Sequence, residues 1–159
     1  MKVVSEPGPP AGVRRTLARL PIGLYRAHLG WLLGGRFLLL HHRGRKSGRP
    51  RQVVLEVVEH SPDRSYVLAS GFGTKSDWYR NLLAAPDTTA QVGRRVLAVH
   101  ASPIGVDEGA ELMARYAGRH PRAGRALCKL MGFEVDGSRA DFLAAGRRIP
   151  FVRLSPTGG

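Results

Sequence analysis

Eight residues, Gly44-Arg45-Lys46-Ser47-Gly48-Arg49-Pro50-Arg51, separate an apolar run ending near His42 from a β-branched run beginning near Gln52. So short a joint between two strand-like runs makes an antiparallel hairpin the simplest connection. The joint carries four cations, two glycines, a hydroxyl and a proline. Such a loop gathers backbone N–H groups and fixed positive charge in one place, which suits a phosphate. Taken alone, it reads either as a solvated hairpin tip or as an anion site.

The charge around it bears on that choice. Of 159 residues, 25 are Lys or Arg and 12 are Asp or Glu. Between Pro7 and Leu55 there is no acidic residue but ten basic ones, whereas the chain from Glu56 onward is nearly balanced, with fourteen basic and eleven acidic. A basic first third points to an anionic partner: a phosphorylated cofactor, a membrane surface or nucleic acid. Few aromatic residues interleave with the basic stretch, so nucleic acid is not expected. The single cysteine, Cys128, excludes an intramolecular disulfide framework and a Cys-based zinc site. The N-terminus shows no secretory pattern. The apolar region Leu29 to Leu40 contains Arg36 and falls short of the roughly 18 residues a spanning helix needs. The expected location is the cytoplasm, with peripheral contact at the cytoplasmic face of the membrane as the further option.

Residues 1–11, rich in Pro and Gly, read as a disordered arm, and 12–159 as one domain with enough apolar residues for a core. Within it, 12–35 read as an N-terminal helical segment, with Pro21 opening its second helix. That segment either packs across the end of the core or lies at a lipid interface. Strands are expected at Arg36–His42, Gln52–Glu59, Ser65–Ser70, Thr88–Val92, Arg95–Ser102 and Ile149–Leu154, with Gly93-Arg94 as a two-residue turn. Helices are expected over Asp77–Ala85, after Asp107, from Pro121 to Met131 with Gly132 as its stop, and after Ser138, which stands at capping-box spacing from Asp141. Six or so mostly antiparallel strands with N-terminal, central and C-terminal helices make an α+β domain on a small barrel.

No G-x-G-x-x-G joins a strand to a helix, and Gly44–Ser47 lacks the earlier glycine of a Walker A loop. His41 and His42 are adjacent in a strand and point to opposite faces, so they cannot form a metal pair, and no metal site is expected. His120, before Pro121, reads as structural. No Ser-His-Asp or Cys-His spacing argues for nucleophilic catalysis, so an enzymatic reading needs a bound cofactor to carry the chemistry. In Asp77-Trp78-Tyr79-Arg80-Asn81, Trp78 and Leu82 share a core-facing side of a helix. Asn81 is a mediocre helix former in mid-helix, and a polar side chain there commonly has a partner to hold.

Phe37-Leu38-Leu39-Leu40, the loop Gly44–Arg51, Ser70-Gly71, Trp78-Tyr79-Arg80-Asn81-Leu82 and Ala85-Pro86, in that order and spacing, resemble the deazaflavin-dependent nitroreductases, the F420H2-dependent quinone reductases of the split-barrel class. The resemblance runs from about Gly30 to Gln91. It implies a split β-barrel that binds coenzyme F420, whose phosphodiester and polyglutamate tail match the basic first third; FMN, used by other split barrels, is the alternative ligand. It implies that Arg45, Lys46, Ser47 and Arg51 hold the phosphate and that Gln52, Val53, Val54, Leu55 and Glu56 line the cofactor groove. Leu68, Ala69, Ser70 and Gly71 would border the deazaflavin ring, with Ser70 as the candidate for hydrogen bonding near the reacting centre. Asp77, Trp78, Tyr79, Arg80 and Asn81 would close the site. The activity implied is hydride transfer from reduced deazaflavin to a hydrophobic, electron-poor acceptor such as a quinone (menaquinone among them), an activated alkene or a nitro compound. The alternative is a non-catalytic binder of F420 or of a lipid. Nitroreductase-type members carry tyrosines after a Tyr-Pro step in the C-terminal half; here that region reads His120-Pro121-Arg122-Ala123.

Overall fold

The computed structural model describes residues 1–3, 36–71 and 73–158, and the helical segment expected at 12–35 lies outside them. Among the described residues the strands are β1 (Lys2–Val3), β2 (Phe37–Arg43), β3 (Pro50–His60), β4 (Tyr66–Ala69), β5 (Asp87–Val92), β6 (Arg95–Pro103), β7 (Phe133–Glu134) and β8 (Phe151–Pro156). The helices are α1 (Asp77–Ala84), α2 (Val106–Arg119), α3 (Pro121–Leu130) and α4 (Arg139–Gly146). Six strands close into a barrel in the order β2-β3-β4-β8-β6-β5, every described pairing antiparallel. This is the α+β barrel that the hairpin pattern predicts, and it agrees with the split barrel that the resemblance implies.

Alternation along each strand divides the apolar residues into two layers. Leu38 and Leu40 of β2, Tyr66 and Leu68 of β4, and Val152 and Leu154 of β8 fill the barrel, where Trp78 and Leu82 of α1 join them. The opposite faces, including Val67 and Phe151, pack beneath α2, α3 and α4 through Leu112, Met113, Cys128 and Phe142. Burial pushes the Cys128 thiol up to about 11, as befits a packing residue inert as a nucleophile.

Local chemistry explains most boundaries. Val92 and Arg95 pair across the expected two-residue turn, with Gly93 at φ 58°. Ser138 caps α4 by accepting from the Asp141 N–H, 3.1 Å. Helix α2 begins two residues earlier than its acidic signal suggests: Gly105, not Asp107, is the N-cap, and Asp107 lies in the first turn, where a negative charge still complements the helix dipole. The last strand is shifted to Phe151–Pro156 from the expected Ile149–Leu154, because Arg147 and Arg148 continue hydrogen bonding back into α4 and delay the strand. Lys2 and Val3 pair antiparallel with Glu134 and Phe133; two-residue strands of this kind leave little periodicity to read.

Candidate functional site

The hairpin between β2 and β3 is the expected one, running from Arg43 opposite Pro50 to Phe37 opposite Glu56. Its tip is shaped by Gly48, which sits at φ 69°, a conformation a β-carbon would strain. The Gly48 N–H donates to Gly44 O at 2.7 Å, and the Ser47 Oγ accepts from the Arg49 N–H at 3.2 Å. Lys46, Ser47, Arg49 and Arg51 are exposed. Among the described residues no carboxylate pairs with Lys46, Arg49 or Arg51.

Arg45 behaves differently from its neighbours. Its backbone N–H donates to Asn81 Oδ1 at 3.0 Å, its Nη1 donates to the same oxygen at 2.8 Å, and Nη1 also reaches Asp77 Oδ1 at 3.3 Å. The Asn81 amide nitrogen in turn lies 3.1 Å from His42 Nδ1. A donor facing Nδ1 requires the neutral imidazole with its proton on Nε2. Asn81 is 2% exposed, so the mid-helix polar residue has the partner its position demands: it fastens the basic loop to α1. Arg45 is therefore part of the fastening, while Lys46 and Arg51 keep their charges outward.

Burial holds the His42 imidazole well below its ordinary 6.5, at about 4, helped by the Arg51 charge and opposed by Asp77. The unfolded chain binds this proton first as pH falls. The fastening thus contributes fully above about pH 6.5, weakens on acidification toward pH 4, and changes no further below it. Thermal melts of the wild-type protein and His42→Gln across that window test this: the wild-type Tm should fall more steeply with acidification than that of the variant.

The remaining sequence-predicted residues separate by strand face. Gln52, Val54 and Glu56 share the outer face of β3, whereas Val53 and Leu55 pack against the barrel interior. The Gln52 amide nitrogen lies 3.5 Å from His41 Nδ1. Glu56 Oε1 accepts from the Tyr116 hydroxyl at 2.8 Å and from Arg36 Nη2 at 3.4 Å. Burial and the Glu56 carboxylate push the Tyr116 hydroxyl well above its ordinary value, keeping it a neutral donor.

Val57 pairs with Leu68, so the outer row of β3 runs beside the turn after β4. There Leu68 is fully buried in the barrel and Ala69 packs under the helical layer. Ser70 is fully buried and its hydroxyl donates to Gly73 O at 2.5 Å. A β-carbon on Gly71 would stand 2.5 Å from Leu130 Cδ2 of α3, so this turn approaches the helix closely because it is bare. Helix α1 follows this turn after the short 3-10 segment Gly73–Lys75. Trp78 is buried, with Tyr79 edge-on to it at 6.0 Å, Arg80 Nε donates to Thr74 O at 2.9 Å, and Asp77 is exposed. Ser76 takes the N-cap position, but its buried hydroxyl caps nothing.

Sequence reasoning missed the Glu56–Tyr116–Arg36 cluster, whose members stand 60 and 20 positions from Glu56, and His42 as Asn81's partner. Only strand and helix placement joins them. Among the described residues no group of three His, Cys, Asp or Glu stands close enough to hold a metal ion. None of the described helices is long and apolar enough to cross a membrane.

A six-stranded split barrel with a cationic hairpin fastened to a helix through a buried asparagine is the class these features define. A sequence profile of the F420H(2)-dependent quinone reductase family matches residues 21–126, and the chain belongs to that family. Rv3178 of Mycobacterium tuberculosis, assigned as an F420H(2)-dependent quinone reductase, is 39% identical over 82 residues, which span 49% of this chain and 66% of that protein. The solved structure of an F420-H2 dependent reductase superposes with a TM-score of 0.53 at 22% identity, covering 76% of this chain and 94% of that one. A pyridoxamine 5'-phosphate oxidase-related, FMN-binding protein of Nostoc punctiforme superposes with a TM-score of 0.52 at 16% identity, covering 92% and 81%. At these identities the structural likeness concerns the fold.

Proposed function

We propose that this protein is an F420-dependent oxidoreductase acting on a quinone-type acceptor. One observation carries the reading: Lys46 at the hairpin tip and Arg51 at the start of β3 have no described carboxylate partner, and Asn81 anchors the hairpin to α1 through Arg45. The donor set suits the phosphodiester of F420. Lys46 offers a point charge, Arg51 a planar fork for two oxygens, and Ser47 a hydroxyl between them. Fastening the Arg45 backbone to α1 orders the loop before the ligand arrives, so less freedom is lost on binding.

From the loop, Gln52, Val54 and Glu56 offer alternating polar and apolar contacts along the outer face of β3. Ala69 and Gly71, both half-buried, put little bulk in the way of the edge of a flat ring, while the bare side of Gly71 is taken by Leu130. Ser70 enters this reading through the turn that its hydroxyl closes, and Asp77–Asn81 form the opposite wall. When bound, the reduced deazaflavin supplies a hydride to an electron-poor acceptor; the chain's part is to orient the ring and exclude water. The finer expectations, a cytoplasmic enzyme meeting menaquinone at the membrane face, rest on the basic first third of the chain, much of it outside the described residues.

Anaerobic mixing with reduced F420 and a panel of quinones tests the activity. Quinone-dependent oxidation of the coenzyme, absent without protein, is expected. Binding without oxidation across the panel would replace the enzyme with a silent F420-binding protein.

A further inference from the structure

His42 stands at the hairpin end of β2, directly across the ladder from Arg51. Residues opposed in an antiparallel pair share a face, with Cα atoms about 5 Å apart. Both therefore face the side that Leu40 and Val53 take two residues further in. A β-carbon on Gly44 would stand 3.5 Å from Arg51 Nε and nearer still to Ser47 Oγ. The Arg51 and Ser47 side chains thus converge beside bare backbone, two residues along the chain from His42.

The His42 ring is set from the helix side. Asn81 Oδ1 is committed to the Arg45 N–H and Nη1, so the Asn81 amide turns its N–H toward His42 Nδ1, 3.1 Å away. Nδ1 must then accept, which puts the proton of the neutral imidazole on Nε2. Burial, and after it the Arg51 charge, disfavour a second proton; Asp77 of α1 opposes them, His41 assists them, and the group is held at about 4. At neutral pH the ring is a fixed, uncharged donor. His42 is 8% exposed, and its Nε2 has no partner among the described residues. Among those residues the one buried side-chain nitrogen or oxygen left without a partner is Ser76 Oγ. The His42 Nε2–H therefore reaches solvent.

We infer that His42 is a further binding residue of the anion site, its Nε2–H donating to a phosphate oxygen held on the other side by Arg51. Asn81 then has two tasks: it anchors the hairpin through Arg45, and it fixes the tautomer that makes His42 a donor. Lys46 and Arg51 supply charge, whereas His42 supplies direction, because its ring cannot turn without losing Asn81. The inference rests on the proposed function in taking the anion to be the phosphodiester of F420; the donor set itself fits any phosphate.

Long-range proton–nitrogen NMR of the histidine-labelled protein at pH 7 tests this, with His42 assigned by the signals lost in His42→Asn. Free His42 should show the Nε2–H tautomer. F420 should move its Nε2 resonance while Nδ1 stays unprotonated. Asparagine places its oxygen where Nδ1 stood and offers no donor at the Nε2 position. His42→Asn should therefore keep a Tm near that of the wild type yet bind F420 about tenfold more weakly, the loss of one hydrogen bond to a charged group. F420 binding that leaves Nε2 unmoved, or that protonates Nδ1, would overturn the inference while the F420 reading stands. Inorganic phosphate moving Nε2 in a protein that does not bind F420 would uphold the donor and remove the cofactor.

Discussion

Replacing Lys46 and Arg51 together by alanine should weaken F420 binding about a hundredfold or more. Each cation would make a charge-assisted contact to the phosphodiester, worth roughly 1.5–3 kcal/mol, and two such losses multiply. Both side chains are exposed, so the fold should be spared; surface changes of this kind usually stay within about 0.5 kcal/mol. Fluorescence titration of the double variant, with circular dichroism to confirm the fold, separates the two effects. An unchanged affinity in a folded variant would remove the phosphate from the loop.

Asn81→Ala should produce the largest loss of stability among single changes at the site. It deletes the acceptor for the Arg45 N–H and guanidinium and the donor facing His42 Nδ1, all around a side chain that is 2% exposed. Leaving buried polar partners unpaired costs about 1–3 kcal/mol each, and water entering at the loop relieves part of it. A net cost of about 2–4 kcal/mol in urea denaturation is expected. F420 affinity should fall as well, although Asn81 keeps Lys46 and Arg51 untouched, because the loop is no longer ordered in advance. A variant as stable as wild type would mean that the contacts between loop and helix carry no load.

The fold was largely legible because its signals are local. The joint at Gly44–Arg51, the Gly93-Arg94 turn, the Ser138 cap and the stop at Gly132 each act within a few residues, and each appears where expected. Asn81 was legible as a question, since a mediocre helix former in mid-helix calls for a partner. Its answer, Arg45 and His42, needed the barrel to bring residues 36 and 39 positions away against α1. The uninterrupted stretch Gln52–Glu56 conceals a period of two: register with Leu40 and Leu38 turns Val53 and Leu55 inward and leaves alternate residues on the outer face. The cluster of Glu56, Tyr116 and Arg36 had no signature at all, because nothing in a sequence marks a tyrosine for a glutamate 60 positions away.

The cofactor is the central claim, and one titration addresses it most directly. The purified protein should bind F420 with saturable, salt-sensitive affinity and bind FMN at least about tenfold more weakly, since a loop fitted to a longer and more anionic ligand gains further ionic contacts from it. Tighter binding of FMN than of F420, or binding of neither, would contradict the account.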